Sequence, residues 1–355
     1  MPLPRPSTKP SRAHAALAAF LCLALAGCGS GQALVRPATP AAAPGGFAKG
    51  ADISWVTEME AAGYEFHDRS GVRRDLFAIL KDEGMDAVRL RVWVNPADGY
   101  SGIADVVAKA RRARAAGMRI MLDFHYSDSW ADPQQQTKPA AWAGLAVPQL
   151  AAAVAEHTRS SLAALRDAGI TPEWVQVGNE TRDGLLWPEG RASASMQNYA
   201  LFVNSGYDAV KSVYPAAQVI VHVDNCHDGA RLRWNFDGLR ANGARFDMIG
   251  LSSYPTTAKG MGWQAATAAC LANLNEAAAR YGKPVILSEV GVPWDHPEGK
   301  AIIADLIAKA RAVDRGQARG VFYWEPEAYR WKGYSMGAFD QAGRPTSVME
   351  AFREP

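Results

Sequence analysis

From residue 47 onward the chain repeats one pattern: a short run rich in branched aliphatic residues, a polar and aromatic segment, a helical pattern and a glycine. The helical segments, such as "IADVVAKARRARAAG", carry apolar residues at three- and four-residue spacing. The predicted strands number eight: "FAKGADI", "DAVRLRVW", "RIMLDFH", "EWVQVGN", "QVIVHV", "DMIGLSS", "PVILSE" and "GVFYWE". Eight strand-then-helix units in about three hundred residues predict an α/β fold, a single closed (β/α)8 TIM barrel, rather than an open doubly wound sheet. The absence of a GxGxxG or Walker glycine loop also disfavours a nucleotide-binding sheet.

The N-terminus has the features of a signal peptide. A basic leader precedes an apolar run, 15–26, which is short for a membrane span and ends in "LAGCGSG" around Cys28. This ending resembles a bacterial lipoprotein box, in which Cys28 becomes the acylated first residue; ordinary secretion with an incidental cysteine is the alternative. We therefore predict a lipoprotein signal peptide over 1–27, a flexible Gly/Pro/Ala tether over 28–46 and the barrel over 47–355. The predicted location is extracytoplasmic, lipid-anchored at the bacterial cell envelope (outer membrane, periplasm or cell surface), or secreted.

Charge and cysteine content restrict the partners. Removal of 1–27 takes away three basic residues and no acidic ones, so the 38 Lys and Arg of the full chain become 35 against 36 acidic residues. This balance gives no indication of nucleic-acid binding, and any membrane association would come from the lipid. Cys226 and Cys270 would remain in the mature chain beyond the acylated position. They could pair in an oxidising compartment or stay free, and their spacing matches no metal motif.

One predicted strand ends in a way that indicates a functional site. The stretch "EWVQVGNETRDG" runs through the apolar residues Trp174, Val175 and Val177 and then presents Asn179 and Glu180. A buried, unpaired carboxylate is costly, so either the strand stops at a surface or Glu180 faces a site that uses it. Active sites of (β/α)8 barrels lie at the C-terminal ends of the strands. We therefore expect Glu180 at the floor of a cleft.

A second carboxylate is expected at another strand end. In "KPVILSEVGVPW" Glu289 follows the apolar residues 285–287. Two carboxylates at the ends of the fourth and seventh strands are suited to glycoside hydrolysis, in which one protonates the leaving oxygen and the other attacks the anomeric carbon. The alternative is that each glutamate pairs with an arginine for structural reasons. Arg89 and Arg91 point the same way from their strand, and an arginine beside Glu289 would keep it ionised, as a nucleophile requires.

Two polar clusters, "LDFHYSDSWADP" and "HVDNCHDG", contain residue types that bind metals. Neither has a recognised ligand spacing, and the recognition of sugar hydroxyls uses the same donors and acceptors. We therefore predict no metal site and no cofactor.

The tryptophans support a sugar-binding cleft independently. Ten of the eleven fall within or after predicted strand ends: Trp55, Trp93, Trp130, Trp142, Trp187, Trp234, Trp263, Trp294, Trp324 and Trp331. A barrel core prefers branched aliphatic residues, whereas indole rings on the active-site face suit the flat apolar faces of pyranose rings. We expect three or four of them to contact substrate and the others to pack under loops.

Taken together, these stretches resemble glycoside hydrolase family 53, the arabinogalactan endo-β-1,4-galactanases. The resemblance extends over nearly all of 47–352 and is specific in the combination of its motifs: "KGADISW", "AVRLRVWVNP", "MLDFHYSDSWADPQQQTKPAAW", "WVQVGNET", "DMIGLSSYP", "VILSEVG" and "VFYWEP". It implies an endo-acting enzyme that cleaves β-1,4-galactosidic bonds in galactan or type I arabinogalactan. It also implies retention of anomeric configuration, for which the carboxyl groups stand about 5 to 5.5 Å apart.

The resemblance also assigns individual residues. Glu180 matches the family's acid/base and Glu289 its nucleophile, while Asn179 matches the asparagine that holds the sugar 2-hydroxyl. Five further residues match positions that line the cleft: Asp52, Arg91, His125, Tyr254 and Trp324. Ser253 stands where an aromatic or larger residue often precedes the matched tyrosine. Some members bind calcium through an extended loop after the seventh strand, but here "VPWDHPEGK" is short, so that site is not carried over.

The expected partner is the galactan or arabinogalactan polysaccharide, bound by a monomer. One alternative is another retaining β-glycanase of the same barrel superfamily, acting on mannan or glucan, because the carboxylate machinery is shared and selectivity lies in loops. The other is a surface glycan-binding lipoprotein without turnover, which two intact glutamates disfavour.

Overall fold

The computed structural model describes residues 46–354. The predicted signal peptide, Cys28 and all but the last residue of the predicted tether lie outside the described residues. Within 46–354 no helix is long and apolar enough to cross a membrane.

Eight parallel strands close into a barrel in chain order, with β1 hydrogen-bonded to both β2 and β8. All eight predicted strands are present: β1 Ala48–Asp52, β2 Ala87–Val92, β3 Arg119–Phe124, β4 Trp174–Val177, β5 Gln218–Val223, β6 Met248–Ser253, β7 Val285–Val290 and β8 Ala318–Trp324. The prediction of a (β/α)8 barrel is therefore confirmed.

Helices follow the strands and cover the outside of the barrel. They are α1 Val56–Ala61, α2 Leu76–Asp82, α3 Ile103–Ala115, α4 Val147–Asp167, α5 Met196–Val213, α6 Gly229–Ala241, α7 Trp263–Tyr281 and α8 Gly299–Arg311, with short 3₁₀ turns at Ala140–Trp142, Pro255–Thr257, Asp314–Gly316 and Ser347–Phe352. Their spacing explains their packing: α3, for example, buries Val106, Ala110 and Ala113 at three- and four-residue intervals. Gly282, one of the glycines that follow the helical patterns in the sequence, ends α7 with φ +63°, a left-handed conformation that favours glycine.

The interior of the barrel changes character along its axis. A layer of apolar side chains fills the end at which the strands begin: Ala48, Ala87, Met121, Trp174, Ile220, Met248, Ile286 and Phe322. Trp174 packs edge-to-face on Phe322 with ring centroids 5.8 Å apart. Gly50 faces the same ring, and a Cβ there would lie 2.4 Å from it, so only glycine fits. Polar and charged side chains occupy the opposite end, where the strands finish.

The two cysteines of the barrel are paired. Cys226, just after β5, forms a disulfide with Cys270 in α7. The bond closes a loop with a sequence separation of 44 and ties the β5–α6 connection to a neighbouring helix.

Candidate active site

Glu180 stands in a tight turn after β4. Gly178 has φ +85° and Glu180 itself has φ +44°, an uncommon conformation for a residue with a side chain. The turn is held by Thr181, whose backbone N–H and hydroxyl group both donate to the carbonyl oxygen of His222, at 2.8 and 3.0 Å. Backbone strain of this kind clusters at functional sites.

The turn directs Glu180 into a cleft of about 240 Å³ at the C-terminal end of the barrel. The cleft is lined by His125, Trp130, Ala131, Asp132, Asn179, Glu180, Tyr254, Glu289 and Trp324. Six of the eight residues predicted for substrate binding or catalysis therefore line one cleft. The other two, Asp52 and Arg91, are fully buried and lie beneath it.

Glu289, the penultimate residue of β7, is held from two sides. Its Oε1 lies 2.8 Å from the Arg89 guanidinium, and its Oε2 accepts a hydrogen bond of 3.1 Å from the Tyr254 hydroxyl. Burial raises the pKa of Glu289 to about 7, although Arg89 acts in the opposite direction; Asp123 and Asp52 add to the increase. Arg89 is thus the arginine that the sequence expected beside Glu289, but its charge does not offset the loss of hydration.

Arg89 is the central cation of the site. Besides Glu289 it forms ion pairs with Asp52 at 2.7 Å and Asp123 at 2.9 Å, and it donates to the side-chain oxygen of Asn179 at 2.9 Å. Its position in the middle of β2 brings it within reach of β1, β3, β7 and the turn after β4. Asp52, the residue of β1 that pairs with Arg89 in the ladder, helps to orient its guanidinium.

The Asn179 amide is engaged at both ends, because its nitrogen donates to the Ala131 carbonyl oxygen at 2.8 Å while its oxygen accepts from Arg89. His125 is similarly fixed. Its Nε2 lies 2.9 Å from Asp123, and its Nδ1 accepts from the Ala131 backbone N–H at 3.1 Å and from Trp93 Nε1 at 3.3 Å. These contacts orient both side chains before any ligand binds.

Glu180 has different neighbours from Glu289. Its Oε1 accepts a hydrogen bond of 2.6 Å from Ser252. Burial raises the pKa of Glu180 well above its ordinary value, and the nearby charges of Glu289 and Asp224 raise it further. Asp224 is itself paired with Arg182.

Aromatic side chains form one wall of the cleft. Trp324 packs against Trp55, Trp130 and Tyr334 with ring centroids 5.3, 5.9 and 4.8 Å apart. The Arg91 guanidinium lies 4.2 Å from the centre of the Trp130 ring. Arg91 therefore supports the wall from beneath.

The tryptophans do not all serve the cleft. Trp130 and Trp324 line it, whereas Trp234 lies on α6 and is 45% exposed. Trp174, the one tryptophan outside the predicted group, is buried at the base of the barrel.

Sequence reasoning did not identify Ser252, and it placed His222 and Asp132 only within the two polar clusters, whereas Trp130 belonged to the tryptophans expected at strand ends. Ser252 pairs with Glu289 across the β6–β7 ladder at a register shift, and no local pattern marks such a shift. The sequence does contain an indication for His222. This residue lies among apolar residues in β5, so its side chain must face either the barrel interior or a helix.

Metal-binding residue types are present, but they are dispersed. Among residues 46–354 no three His, Cys, Asp or Glu side chains are grouped so that they could hold a metal ion. The site offers two carboxyl groups, one buried and one half-buried, in different electrostatic surroundings and next to an aromatic surface. Such a pair can protonate a leaving group and attack a carbon centre.

Comparisons with known proteins agree with this chemistry. The sequence profile of "Glycosyl hydrolase family 53" matches residues 48–352. An uncharacterized protein of Niallia circulans is 36% identical over 311 residues, covering 79% of this chain and 83% of the relative. A probable arabinogalactan endo-β-1,4-galactanase A of Aspergillus terreus is 35% identical over 302 residues, covering 78% and 85%. A solved fungal β-1,4-galactanase is 31% identical, with a TM-score of 0.80, and covers 88% of this chain and all of its own.

Proposed function

The chain belongs to glycosyl hydrolase family 53, and on this premise we propose that it is an endo-acting β-1,4-galactanase that hydrolyses galactan or type I arabinogalactan with retention of configuration. The single observation that carries the proposal is the presence of Glu180 and Glu289 in one aromatic-walled cleft of a chain that belongs to this family. Relatives that are 35% and 33% identical over the aligned residues are named a probable arabinogalactan endo-β-1,4-galactanase A and an arabinogalactan endo-β-1,4-galactanase.

In the first step of the proposed mechanism Glu180 donates its proton to the glycosidic oxygen as the bond from that oxygen to the anomeric carbon breaks. A carboxylate oxygen of Glu289 attacks the anomeric carbon and forms a covalent glycosyl-enzyme. In the second step Glu180, now ionised, takes a proton from water, and the water oxygen displaces Glu289. The environments support these roles, because a cation faces Glu289, whereas burial and two like charges raise the pKa of Glu180.

Three substrates test the proposal. Purified protein is incubated with debranched galactan, mannan and β-glucan, and the products are sized. We expect release of short galacto-oligosaccharides from galactan alone. Products from mannan or glucan would indicate another retaining β-glycanase, and binding of galactan without products would indicate a glycan-binding protein.

We propose that no metal ion takes part in the reaction, because displacement between two carboxyl groups needs no Lewis acid. Incubation with a chelator, followed by assay on galactan, should leave the rate within about twofold of the untreated enzyme. A loss of activity that added calcium or zinc restored would contradict this prediction.

We further propose that residues 1–27 are a lipoprotein signal peptide, that 28–46 are a tether and that Cys28 carries the lipid that anchors the barrel, 47–355, at the cell envelope. Residues 29–46 are rich in Gly, Ala and Pro, which suits a flexible spacer. The disulfide within the barrel fits an oxidising, extracytoplasmic compartment.

Membrane fractionation of cells that express the full chain tests the anchor. We expect the wild type to sediment with membranes and Cys28→Ser to be released. Cys22→Ser is the matched control, because it makes the same exchange inside the predicted signal peptide and leaves the box intact. Equal sedimentation of the wild type and Cys28→Ser would show that Cys28 carries no anchor.

A further inference from the structure

The Ser252 hydroxyl lies between Glu180 and an imidazole that the proposed mechanism does not use. Ser252 Oγ donates to Glu180 Oε1 at 2.6 Å, and His222 Nε2 lies 2.8 Å from the same Oγ. Both Ser252 and His222 are fully buried. The three groups form a chain of hydrogen bonds that runs from the interior of the barrel to the cleft.

The surroundings of His222 show which of its nitrogens carries the hydrogen. Nδ1 faces two donors, the Gln176 side-chain nitrogen at 2.9 Å and the Glu180 backbone N–H at 3.4 Å. The Gln176 amide is oriented by Arg89, which donates to its oxygen, and by Asp123, which accepts from its nitrogen at 2.6 Å. Nδ1 is therefore an acceptor and Nε2 carries the hydrogen.

One acceptor also lies near Nδ1, the Asn179 side-chain oxygen at 3.1 Å. That oxygen already accepts from Arg89 at 2.9 Å and needs no hydrogen from His222. Burial and the charge of Arg89 lower the pKa of His222 well below its ordinary value, while Asp123 acts in the opposite direction and His125 adds to the decrease. The ring is therefore neutral.

A neutral imidazole with its hydrogen on Nε2 donates to Ser252, so the single hydroxyl hydrogen of Ser252 is directed to Glu180. Glu180 Oε1 is then occupied as an acceptor, and a proton on Glu180 must lie on Oε2.

We propose that Ser252 and His222 are positioning residues that keep the proton of Glu180 on Oε2 and stabilise the carboxylate when that proton has left. The inference rests on the proposed function, because it assigns the roles of two neighbours of its acid/base. In the first step the Oε2 proton passes to the glycosidic oxygen as the bond to the anomeric carbon breaks and the bond to Glu289 forms. In the second step a water proton returns to Oε2 as the water oxygen takes the place of Glu289.

The charged groups that face Glu180 explain why this hydrogen bond matters most in the second step. Glu289 and Asp224 raise the pKa of Glu180, whereas Ser252 and Arg89 lower it. Formation of the glycosyl-enzyme turns Glu289 into a neutral ester and removes its contribution. Ser252 then becomes a main stabiliser of the carboxylate that must act as the base.

The test compares Ser252→Ala with Ser252→Thr, which keeps the hydroxyl, and Ser252→Cys, which keeps the volume but donates weakly. Ser253→Ala is the matched control, because it removes the hydroxyl of the next buried residue of β6, which points to the other face of the strand. Each variant is assayed across pH on the polysaccharide that the wild type hydrolyses and on an aryl glycoside of the same sugar with a good leaving group. Circular dichroism and thermal unfolding establish that each variant is folded.

We expect Ser252→Ala and Ser252→Cys to lose about tenfold in kcat with KM unchanged or lower. With the aryl glycoside, the rate of glycosyl-enzyme hydrolysis should reach its plateau at a higher pH, because the base has become harder to deprotonate. With the polysaccharide, the decline of activity at high pH should also move upward. Ser252→Thr should restore the wild-type pH profile, and Ser253→Ala should retain it.

Unchanged pH profiles in folded Ser252→Ala and Ser252→Cys would overturn the proposal, as would an equal shift in Ser253→Ala. If Ser252→Ala does not fold, the pH profiles of Ser252→Cys and Ser252→Thr provide the same test. If the wild type hydrolyses mannan or glucan instead of galactan, only the galactanase assignment is contradicted. The Ser252 variants can then be compared on that substrate, so the proposed role of Ser252 is still tested.

Discussion

At the scale of single residues, the two glutamates of the cleft differ in the groups that surround their carboxyl groups. Glu289 faces a guanidinium and a phenol hydroxyl, so its ionised form is stabilised. Burial and two nearby carboxylates favour the protonated form of Glu180, and the hydrogen bond from Ser252 only partly opposes them. Such a separation of pKa values between neighbouring acids is how one site obtains both a nucleophile and an acid.

The first prediction separates the two roles. Glu289→Gln should reduce the hydrolysis of every substrate by more than about 10⁴-fold, since no nucleophile remains. Glu180→Gln should lose about 10²- to 10⁴-fold on galactan but retain much of the first step on an aryl galactoside whose leaving group needs no proton. Steady-state and burst kinetics on both substrates provide the measurement. If Glu180→Gln loses equal activity on the two substrates while binding is intact, the assignment of Glu180 as the acid is contradicted.

The second prediction concerns the pH dependence of kcat/KM on galactan. Glu289 must be ionised, and burial raises its pKa to about 7, so activity should rise as pH increases through about 7. Glu180 must be protonated and its pKa is raised well above its ordinary value, so activity should fall again at higher pH. Because Glu180 and Glu289 interact, the two apparent pKa values of the pH profile describe the pair rather than either residue alone. If kcat/KM does not change between pH 4.5 and 7, the charge of Arg89 lowers the pKa of Glu289 by at least as much as burial raises it.

At the scale of secondary-structure elements, the inner faces of the strands divide into an apolar layer and a charged layer. The charged layer is centred on β2, where Arg89 forms ion pairs with residues of β1, β3 and β7. A buried arginine of this kind does not stabilise the fold by itself, but its carboxylate partners depend on it. Arg89 thus holds the first, second, third and seventh strands together through its ion pairs, and one of these pairs also favours the ionised form of Glu289.

The third prediction follows from this arrangement. Arg89→Met should lower the free energy of unfolding by about 3 to 5 kcal/mol, because three buried carboxylates lose their cation. Arg245→Met is the control: its pair with Asp208 is exposed on both sides, and its loss should cost less than about 1 kcal/mol. Urea unfolding of both variants measures the difference. Similar values would mean that water or protons compensate for the missing guanidinium at Arg89.

At the scale of the whole barrel, a second pair of buried acids lies beneath the cleft at the end of β8. Glu325 accepts from the Trp55 backbone N–H at 3.0 Å and pairs with Arg91 at 3.2 Å, whereas neither oxygen of the Glu327 carboxyl makes a hydrogen bond of ordinary geometry among the described residues. Burial and the charge of Glu325 raise the pKa of Glu327 well above its ordinary value. Burial likewise raises the pKa of Glu325 to about 7. Protonation of Glu327 removes its repulsion with Glu325.

The fourth prediction uses the sign of this shift. Above pH 4.5 an unfolded glutamate loses its proton while folded Glu327 retains it, so this residue makes the fold less stable as pH rises. Glu327→Gln removes that penalty, and its stability relative to the wild type should increase by about 1 kcal/mol per pH unit between pH 5 and 7. Chemical unfolding at several pH values measures the difference.

Glu156→Gln is the control for this series, because Glu156 is 69% exposed and keeps its hydration in the folded state. Its stability relative to the wild type should stay constant over the same pH range. A constant difference for Glu327→Gln as well would show that Glu327 is ionised in the folded chain.

Periodicity along the chain was sufficient for the architecture and for the two carboxyl groups. Apolar runs in strands, three- and four-residue spacing in helices and glycines at helix ends are local properties, so they were sufficient to identify all eight strands. The position of Glu180 after a strand end followed from the rule that barrel sites lie at strand C-termini. The roles assigned to Glu180 and Glu289 remain predictions.

Only the tertiary structure decided which partners these residues have. Ser252 and His222 come to Glu180 from β6 and β5, and Arg89 rather than Arg91 reaches Glu289. Such contacts depend on the register between strands and on the closure of the barrel, and one-residue shifts in register exchange the facing side chains. The pattern within any one strand is the same whichever register its neighbours adopt, so the sequence of that strand alone cannot specify the contact.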